Sequence, residues 1–230
     1  MTLPFPSGLV VSCQALDDEP LFGSDTMAKM AYAAKLGGAV AIRANTPNDI
    51  RAIRSAVRLP VIGIYKVQYP ESSVYITPTL REVDAVLASG CEIISLDATR
   101  RMRPKGESLA DLVTHIRSRG RMCMADVSTL EEALRAESLG FDMVSTTLSG
   151  YTEATQARRL PDLDLVAQIV EHVRIPVLAE GHIATHQDFI ECFARGAYAV
   201  VIGSAITRPQ VITARYVEAF HTWKQTLKMS

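Results

Sequence analysis

Eight short apolar runs recur along the 230-residue chain, at 9–12, 39–43, 61–65, 93–97, 122–126, 143–146, 177–179 and 199–202. Each leads into a polar residue or a glycine, and each is followed by a stretch of helical periodicity that stops at Gly or Pro. The runs are continuously hydrophobic instead of alternating, as parallel strands buried on both faces are. Parallel neighbours need a crossover segment between them. Eight strand–helix units with short returns therefore predict a single (β/α)8 TIM barrel, one domain spanning 1–230. A doubly wound open sheet is the competing arrangement. It calls for a glycine-rich fingerprint after the first strand, where this chain has Ser12-Cys13-Gln14-Ala15.

Local signals mark the helix boundaries. Thr46-Pro47 and Thr77-Pro78 each set a capping hydroxyl before a proline at the first helical position, where no N–H is needed. Ser128 with Glu131 predicts a capping box. Gly37, Gly90, Gly120, Gly140 and Gly196 are placed to end helices in the left-handed conformation, and Pro60 and Pro176 stop two others. Two strand-to-helix connections are long, 66–77 and 147–161, and long connections on that face of a barrel shape a pocket. The last stretch, 208–228, is helical with Val211, Ile212, Tyr216, Phe220 and Trp223 on one apolar stripe. It is expected to pack on its own barrel as the eighth helix.

Composition excludes several classes of function. Lys plus Arg number 24 against 25 acids, for a net charge of -1, so no basic field favours nucleic acid or an anionic membrane. The longest apolar stretches are of strand length, too short for a membrane-spanning helix. Cys13, Cys91, Cys123 and Cys192 lie far apart with no CxxC pair. That argues against a disulfide framework or structural zinc and for a reducing, cytoplasmic setting. The first cation is Lys29, so no secretory signal is expected. No His, Asp and Glu grouping has metal-ligand spacing, and no metal is invoked.

In such a barrel the carboxyl ends of the strands converge on one mouth. In order, those ends are Ser12 and Gln14, Arg43, Lys66, Asp97, Asp126, Thr146 and Thr147, Glu180, and Gly203 with Ser204. Stability alone does not require a ring of polar ends over apolar strands; the ring points to a polar, anionic small molecule. Lys66 follows Val-Ile-Gly-Ile-Tyr, which would hold its ammonium at the mouth on a partly buried stem. Desolvation lowers a lysine pKa and makes it a base or an imine-forming amine; the plainer role is to cap a carboxylate. Glu180 enters from the far side, as a proton carrier or a salt-bridge partner. Asp97 and Asp126 balance Lys66 and Arg43, and at least one of them is expected to be structural. Glu180-Gly181-His182 and Gly203-Ser204-Ala205-Ile206, the latter followed by Arg208, bring glycine turns, a helix start and a forked cation together, a phosphate site after strands 7 and 8. His182 is read as a rim residue near it. His115, His172 and His186 are read as helix-surface residues, and Cys13 and Cys123 as small buried hydrophobes.

Read together, Val11-Ser12-Cys13-Gln14, Ala41-Ile42-Arg43, Gly63-Ile64-Tyr65-Lys66, Tyr75-Ile76-Thr77-Pro78-Thr79 and Asp97-Ala98-Thr99 form an ordered set. It continues in Ala125-Asp126, Ser145-Thr146-Thr147-Leu148-Ser149-Gly150-Tyr151-Thr152, Ala179-Glu180-Gly181 and Gly203-Ser204-Ala205-Ile206-Thr207-Arg208-Pro209. The set resembles the N-acetylmannosamine-6-phosphate 2-epimerases of sialic acid catabolism over essentially the whole chain. The resemblance implies interconversion of N-acetylmannosamine 6-phosphate and N-acetylglucosamine 6-phosphate at carbon 2, with no cofactor. It implies a base at Lys66, an acid at Glu180, substrate contacts at Gln14, Arg43, Asp126 and Thr147, and phosphate contacts at Gly181, Gly203 and Arg208. It also implies a homodimer, with exchange of the last helix as one route to it. Val67 and His182 stand where the family often carries a basic residue and an arginine, which alters the charge of the rim. From the residues alone three other readings stay open: a Schiff-base aldolase at Lys66, an isomerase making an indole or histidine precursor, and a non-catalytic sugar-phosphate sensor.

Overall fold

The computed structural model describes residues 3–229. Eight parallel strands, β1 (Gly8–Cys13), β2 (Ala41–Asn45), β3 (Val61–Ile64), β4 (Ile93–Asp97), β5 (Met122–Asp126), β6 (Met143–Ser145), β7 (Val177–Glu180) and β8 (Ala199–Ile202), form a closed barrel in sequence order. β8 pairs with β1, which excludes the open sheet. The first seven strands are each followed by a helix: α1 (Ser24–Leu36), α2 (Pro47–Ala56), α3 (Leu80–Leu87), α4 (Leu109–Ser118), α5 (Leu130–Ser138), α6 (Leu163–His172) and α7 (His186–Ala194). A single-turn α8 (Ser204–Thr207) and the long α9 (Pro209–Met229) complete the chain. No helix among the described residues is long and apolar enough to cross a membrane.

Residues i and i+2 of a strand share a face, and that period builds the mouth. Val10, Ala41, Ile62, Ile93, Met124, Met143, Leu178, Ala199 and Val201 fill the barrel, joined by Leu3 and Phe5 from the segment before β1. The Tyr198 hydroxyl donates to the Phe5 carbonyl at 2.7 Å and ties that segment down. The outward faces bury Ile42, Ile94, Cys123 and Val144 against the helices. Two residues further along the inward faces the chemistry changes: Ser12 follows Val10, Arg43 follows Ala41, Ser95 follows Ile93, Asp126 follows Met124, Ser145 follows Met143 and Glu180 follows Leu178. Gly63 faces outward, where a Cβ would stand 2.7 Å from Cys91 Sγ and 2.9 Å from Ile50 and Val86. Glycine there lets α2 and α3 close on the sheet.

Several local expectations are corrected. β2 begins and ends two residues later than its apolar run, so Arg43 lies in mid-strand and Asn45 ends it. Thr46 does cap α2, accepting from the Asp49 N–H at 3.2 Å. Thr77-Pro78 does not start α3, which begins at Leu80 with Thr79 and Glu82 as its capping box. The cause is tertiary: Arg103 donates to the Thr77 and Pro78 carbonyls and holds this stretch out of the helix. The α5 box is Thr129 with Glu132, one residue beyond Ser128 and Glu131. Ser128 adds its own N–H and hydroxyl to the same Glu132 carboxylate. Gly90, Gly120, Gly140 and Gly196 are left-handed as expected, but after α1 Gly37 stays right-handed (φ -76) and Gly38 (φ 94) makes the turn.

α9 departs most from expectation. The chain is extended at Arg208 (φ -121, ψ 84) ahead of Pro209, a residue type that disfavours helix before it. The helix then leaves the barrel it was expected to cover. Residues 213–227 are all exposed, with Tyr216, Phe220 and Trp223 at 76%, 52% and 56%.

Candidate active site

Arg43 organises the mouth. From mid-β2 it is 1% exposed, and its guanidinium reaches across to strands on the other side. Nη2 donates to Asp126 Oδ2 at 2.7 Å, while Nη1 donates to Thr147 Oγ1 at 3.0 Å and to Glu180 Oε2. Asp126 also accepts from Ser95 Oγ at 2.8 Å. The Thr147 hydroxyl lies 2.6 Å from Asp126 Oδ1, 2.9 Å from Glu180 Oε2 and 2.8 Å from Ser145 Oγ. Its single proton can serve one of these at a time. Burial would lower the Arg43 pKa, but Asp126 and Glu180 outweigh it and hold the guanidinium above its ordinary value. Arg43 is a fixed charge, not a proton carrier.

Lys66 and Glu180 are tuned in opposite directions. Lys66 falls to about 8 because burial and the neighbouring Arg43 disfavour its charge, with Glu180 opposing. Glu180 is raised because burial and Asp126 outweigh the Arg43 guanidinium. Lys66 follows the end of β3 and Glu180 ends β7, strands four places apart in a ring of eight and so on opposite sides of the mouth. Lys66 is fixed at the backbone: its N–H donates to Asn45 Oδ1 at 2.9 Å, and it bridges antiparallel to Ile76. The 66–77 connection folds back on itself at 69–72, and its end is anchored at Thr77, which is fully buried at φ 45 and bonded twice to Tyr65. A β-branched residue in the left-handed region is strained, and tertiary bonds keep it there.

On the far rim Gly181 (φ 108) and His182 (φ 58) are consecutive left-handed residues. The His182 ring stacks on Tyr151 with centroids 4.8 Å apart, and burial lowers its pKa. A neutral aromatic wall suits the rim role read from sequence. Gly203 sits against β1, where a Cβ would be 3.3 Å from that of Ser12. Arg208 turns in from the α8–α9 junction, with Nε 2.8 Å from Glu19 Oε1 and Nη2 donating to Glu19 Oε2 at 2.8 Å.

A cavity of about 890 Å³ opens on these groups. Gln14, Arg43, Lys66, Thr147, Glu180, Gly181, Gly203 and Arg208 all line it. Asp126 does not. It is fully buried behind Arg43 and supports that residue. Asp97 does not line the cavity either; it is paired with Arg101 at 2.6 Å and with Thr99. His115, His172 and His186 lie on α4, α6 and α7. Cys13 and Cys123 are buried, their thiols pushed up to about 12 by desolvation. Sequence reasoning missed Ser95 and Ser145, which bond the carboxylates, Asn45, which holds Lys66, and Glu19, which holds Arg208. The first two stand at inward positions of apolar strands, and the period of two marks them once the register is known.

Fold and mouth together define a (β/α)8-barrel enzyme. The profile of the family described as "Putative N-acetylmannosamine-6-phosphate epimerase" matches residues 27–222. Relatives named "Putative N-acetylmannosamine-6-phosphate 2-epimerase" include one from Clostridium perfringens, 53% identical over 91% of this chain and 95% of its own. Another, from Clostridioides difficile, is 50% identical over 92% and 95%. The solved structure of the N-acetylmannosamine-6-phosphate 2-epimerase from Clostridium perfringens superposes with a TM-score of 0.90 at 53% identity, covering 92% of each chain. The chain belongs to the N-acetylmannosamine-6-phosphate 2-epimerase family, a family of isomerases.

Proposed function

We propose that this protein interconverts N-acetylmannosamine 6-phosphate and N-acetylglucosamine 6-phosphate, in amino-sugar (sialic acid) catabolism. In the open-chain sugar the aldehyde acidifies the carbon 2 proton, whose removal leaves an enediolate-like intermediate. Inversion takes the proton from one face and returns it on the other, so a base and an acid must flank the carbon. The observation that carries the reading is the pair Lys66 and Glu180, on opposite sides of one mouth with pKa values pushed toward each other. Neutral Lys66 abstracts and protonated Glu180 delivers; the roles reverse with direction.

The remaining groups bind and orient. Among the described residues, two buried side-chain atoms without a hydrogen-bond partner are an acceptor, Gln14 Oε1, and a donor, Arg43 Nε. An acetamido group supplies the matching N–H and carbonyl. The Arg43 charge stabilises developing oxyanion character. Gly181, Gly203 and Arg208 hold the phosphate and so fix carbon 2 between base and acid. Thr147 and, behind Arg43, Asp126 keep that guanidinium in place.

The test is proton NMR of N-acetylmannosamine 6-phosphate with the protein in heavy water. Formation of N-acetylglucosamine 6-phosphate with deuterium at carbon 2 is expected; a cleaved sugar, or binding without exchange, would refute it. The working pair holds one proton between two groups, in one arrangement for each direction. The profile of kcat/KM against pH is therefore expected to be bell-shaped in both directions, with an upper limb near 8 from Lys66. The upper limb decides, since the substrate phosphate also titrates near ~6. A rate that still climbs through pH ~9 would contradict the base assignment.

The protein is further proposed to be a homodimer in which a second copy covers α9. That helix exposes Tyr216, Val217, Phe220, Trp223 and Leu227, while Tyr32 and Leu36 of α1 stand exposed as well. Light scattering on the eluted protein should give twice the 25.1 kDa chain mass. A single-chain mass would exclude the dimer.

A further inference from the structure

We infer that Glu19 is a positioning residue for phosphate recognition, acting through Arg208; the inference rests on the reading of Arg208 as a phosphate contact. Arg208 lies in extended backbone between two helices, and its long side chain has many rotamers. Glu19 selects one. Its two oxygens meet Nε and Nη2, each at 2.8 Å, a side-on contact that fixes the plane of the guanidinium as well as its place. Glu19 is itself held. The Leu16 N–H donates to Oε2 at 2.8 Å, Gln210 Nε2 donates to Oε1 at 3.2 Å, and the Glu19 N–H donates back to the Leu16 carbonyl in a tight turn.

The contact leaves one edge of Arg208 uncommitted to Glu19. Nη1 lies 3.4 Å from Ser204 Oγ, at the turn after β8, and Arg208 lines the cavity with Gly181, His182, Gly203 and Ser204. Glu19 therefore turns the free edge of the fork toward the two glycine turns. Asp17 and Asp18, its neighbours, are exposed, whereas Glu19 is half-buried. The same carboxylate joins the β1–α1 connection to the start of α9 through Arg208 and Gln210 and so ties together both walls of this end of the cavity.

Steady-state kinetics on N-acetylmannosamine 6-phosphate, with inorganic phosphate as competitive inhibitor, would be compared for Glu19→Ala, Glu19→Gln, Arg208→Ala and the Glu19→Ala/Arg208→Ala double variant. Glu19→Ala is expected to raise KM and the phosphate inhibition constant about tenfold, the scale of one charge-assisted hydrogen bond, while kcat changes less than about twofold. Glu19→Gln should recover part of the loss because its amide oxygen still accepts. With Arg208 already removed, Glu19→Ala should add nothing further. A lower KM in Glu19→Ala would make Glu19 a competitor of the phosphate and overturn the inference. So would an unchanged KM alongside a raised one in Arg208→Ala, or full additivity in the double variant. If Arg208→Ala alone left KM and phosphate inhibition unchanged, the phosphate reading of Arg208 itself would fall.

Discussion

Lys66→Met is expected to abolish turnover and to make the protein more stable at neutral pH. General acid–base steps contribute about 10²–10⁴-fold, so the loss should be of that size. The stability gain follows from the depressed lysine, ordinarily at 10.5 and here at about 8. At pH 7 both folded and unfolded chains are protonated, but only the folded chain holds that charge against desolvation and Arg43. Between pH 8 and 10.5 the folded protein has released the proton and the unfolded chain has not, so wild-type stability rises with pH across that window. Methionine has the length without the charge. It should stabilise the protein at pH 7 by about 3 kcal/mol, a Tm rise of roughly 6–12 °C, and remove the slope between pH 8 and 10.5. Thermal denaturation at pH 7 and 10 beside a turnover assay would check both parts. Turnover within about tenfold of wild type would refute the base assignment.

Arg43→Met should do the opposite to stability. It removes the cation from between Asp126 and Glu180, which are 0% and 13% exposed. Losing one partner of a buried ion pair costs about 3–5 kcal/mol, since the other charge stays buried. Here two carboxylates stay behind. Burial and Asp126 already raise the Glu180 pKa against the opposing Arg43, so without the guanidinium it rises further and the folded variant binds an extra proton. That contribution to stability is present at low pH and is lost as pH rises through the raised value. Urea midpoints should accordingly fall between pH 5 and 8 in the variant more steeply than in wild type. Arg43→Lys is not expected to rescue it, because one ammonium cannot meet Asp126, Thr147 and Glu180 in a plane. Equal midpoints at the two pH values would show that the carboxylates had found other partners.

The barrel was legible because strands buried on both faces leave unbroken apolar runs, and eight of them with short returns admit few closures. Lys66, Glu180 and the glycine turns were legible because they interrupt those runs. Their supporting partners were not. Ser95 and Ser145 sit inside strands, and their direction depends on a register that one run does not fix. Thr77-Pro78 carried a valid helix-start signal, which Arg103 overrode from 26 positions away in sequence. Glu19 ends an acidic trio that reads as a solvated turn; its partner Arg208 is 189 residues further on. The stripe on α9 reads the same whether it covers its own barrel or another surface.

Arg43 reaches Glu180 from β2, next to the strand that carries Lys66, and it does not give up its proton. On the acid–base reading, no proton can return from Lys66 to Glu180 through it. Each forward turnover ends with the lysine charged and the glutamate ionised, which is the arrangement that runs the reaction backward. Before the next forward turnover, both groups must trade protons with water at the open end of the barrel. On that reading the free enzyme leaves each turnover in a protonation state set by the direction of its last reaction, until solvent resets it.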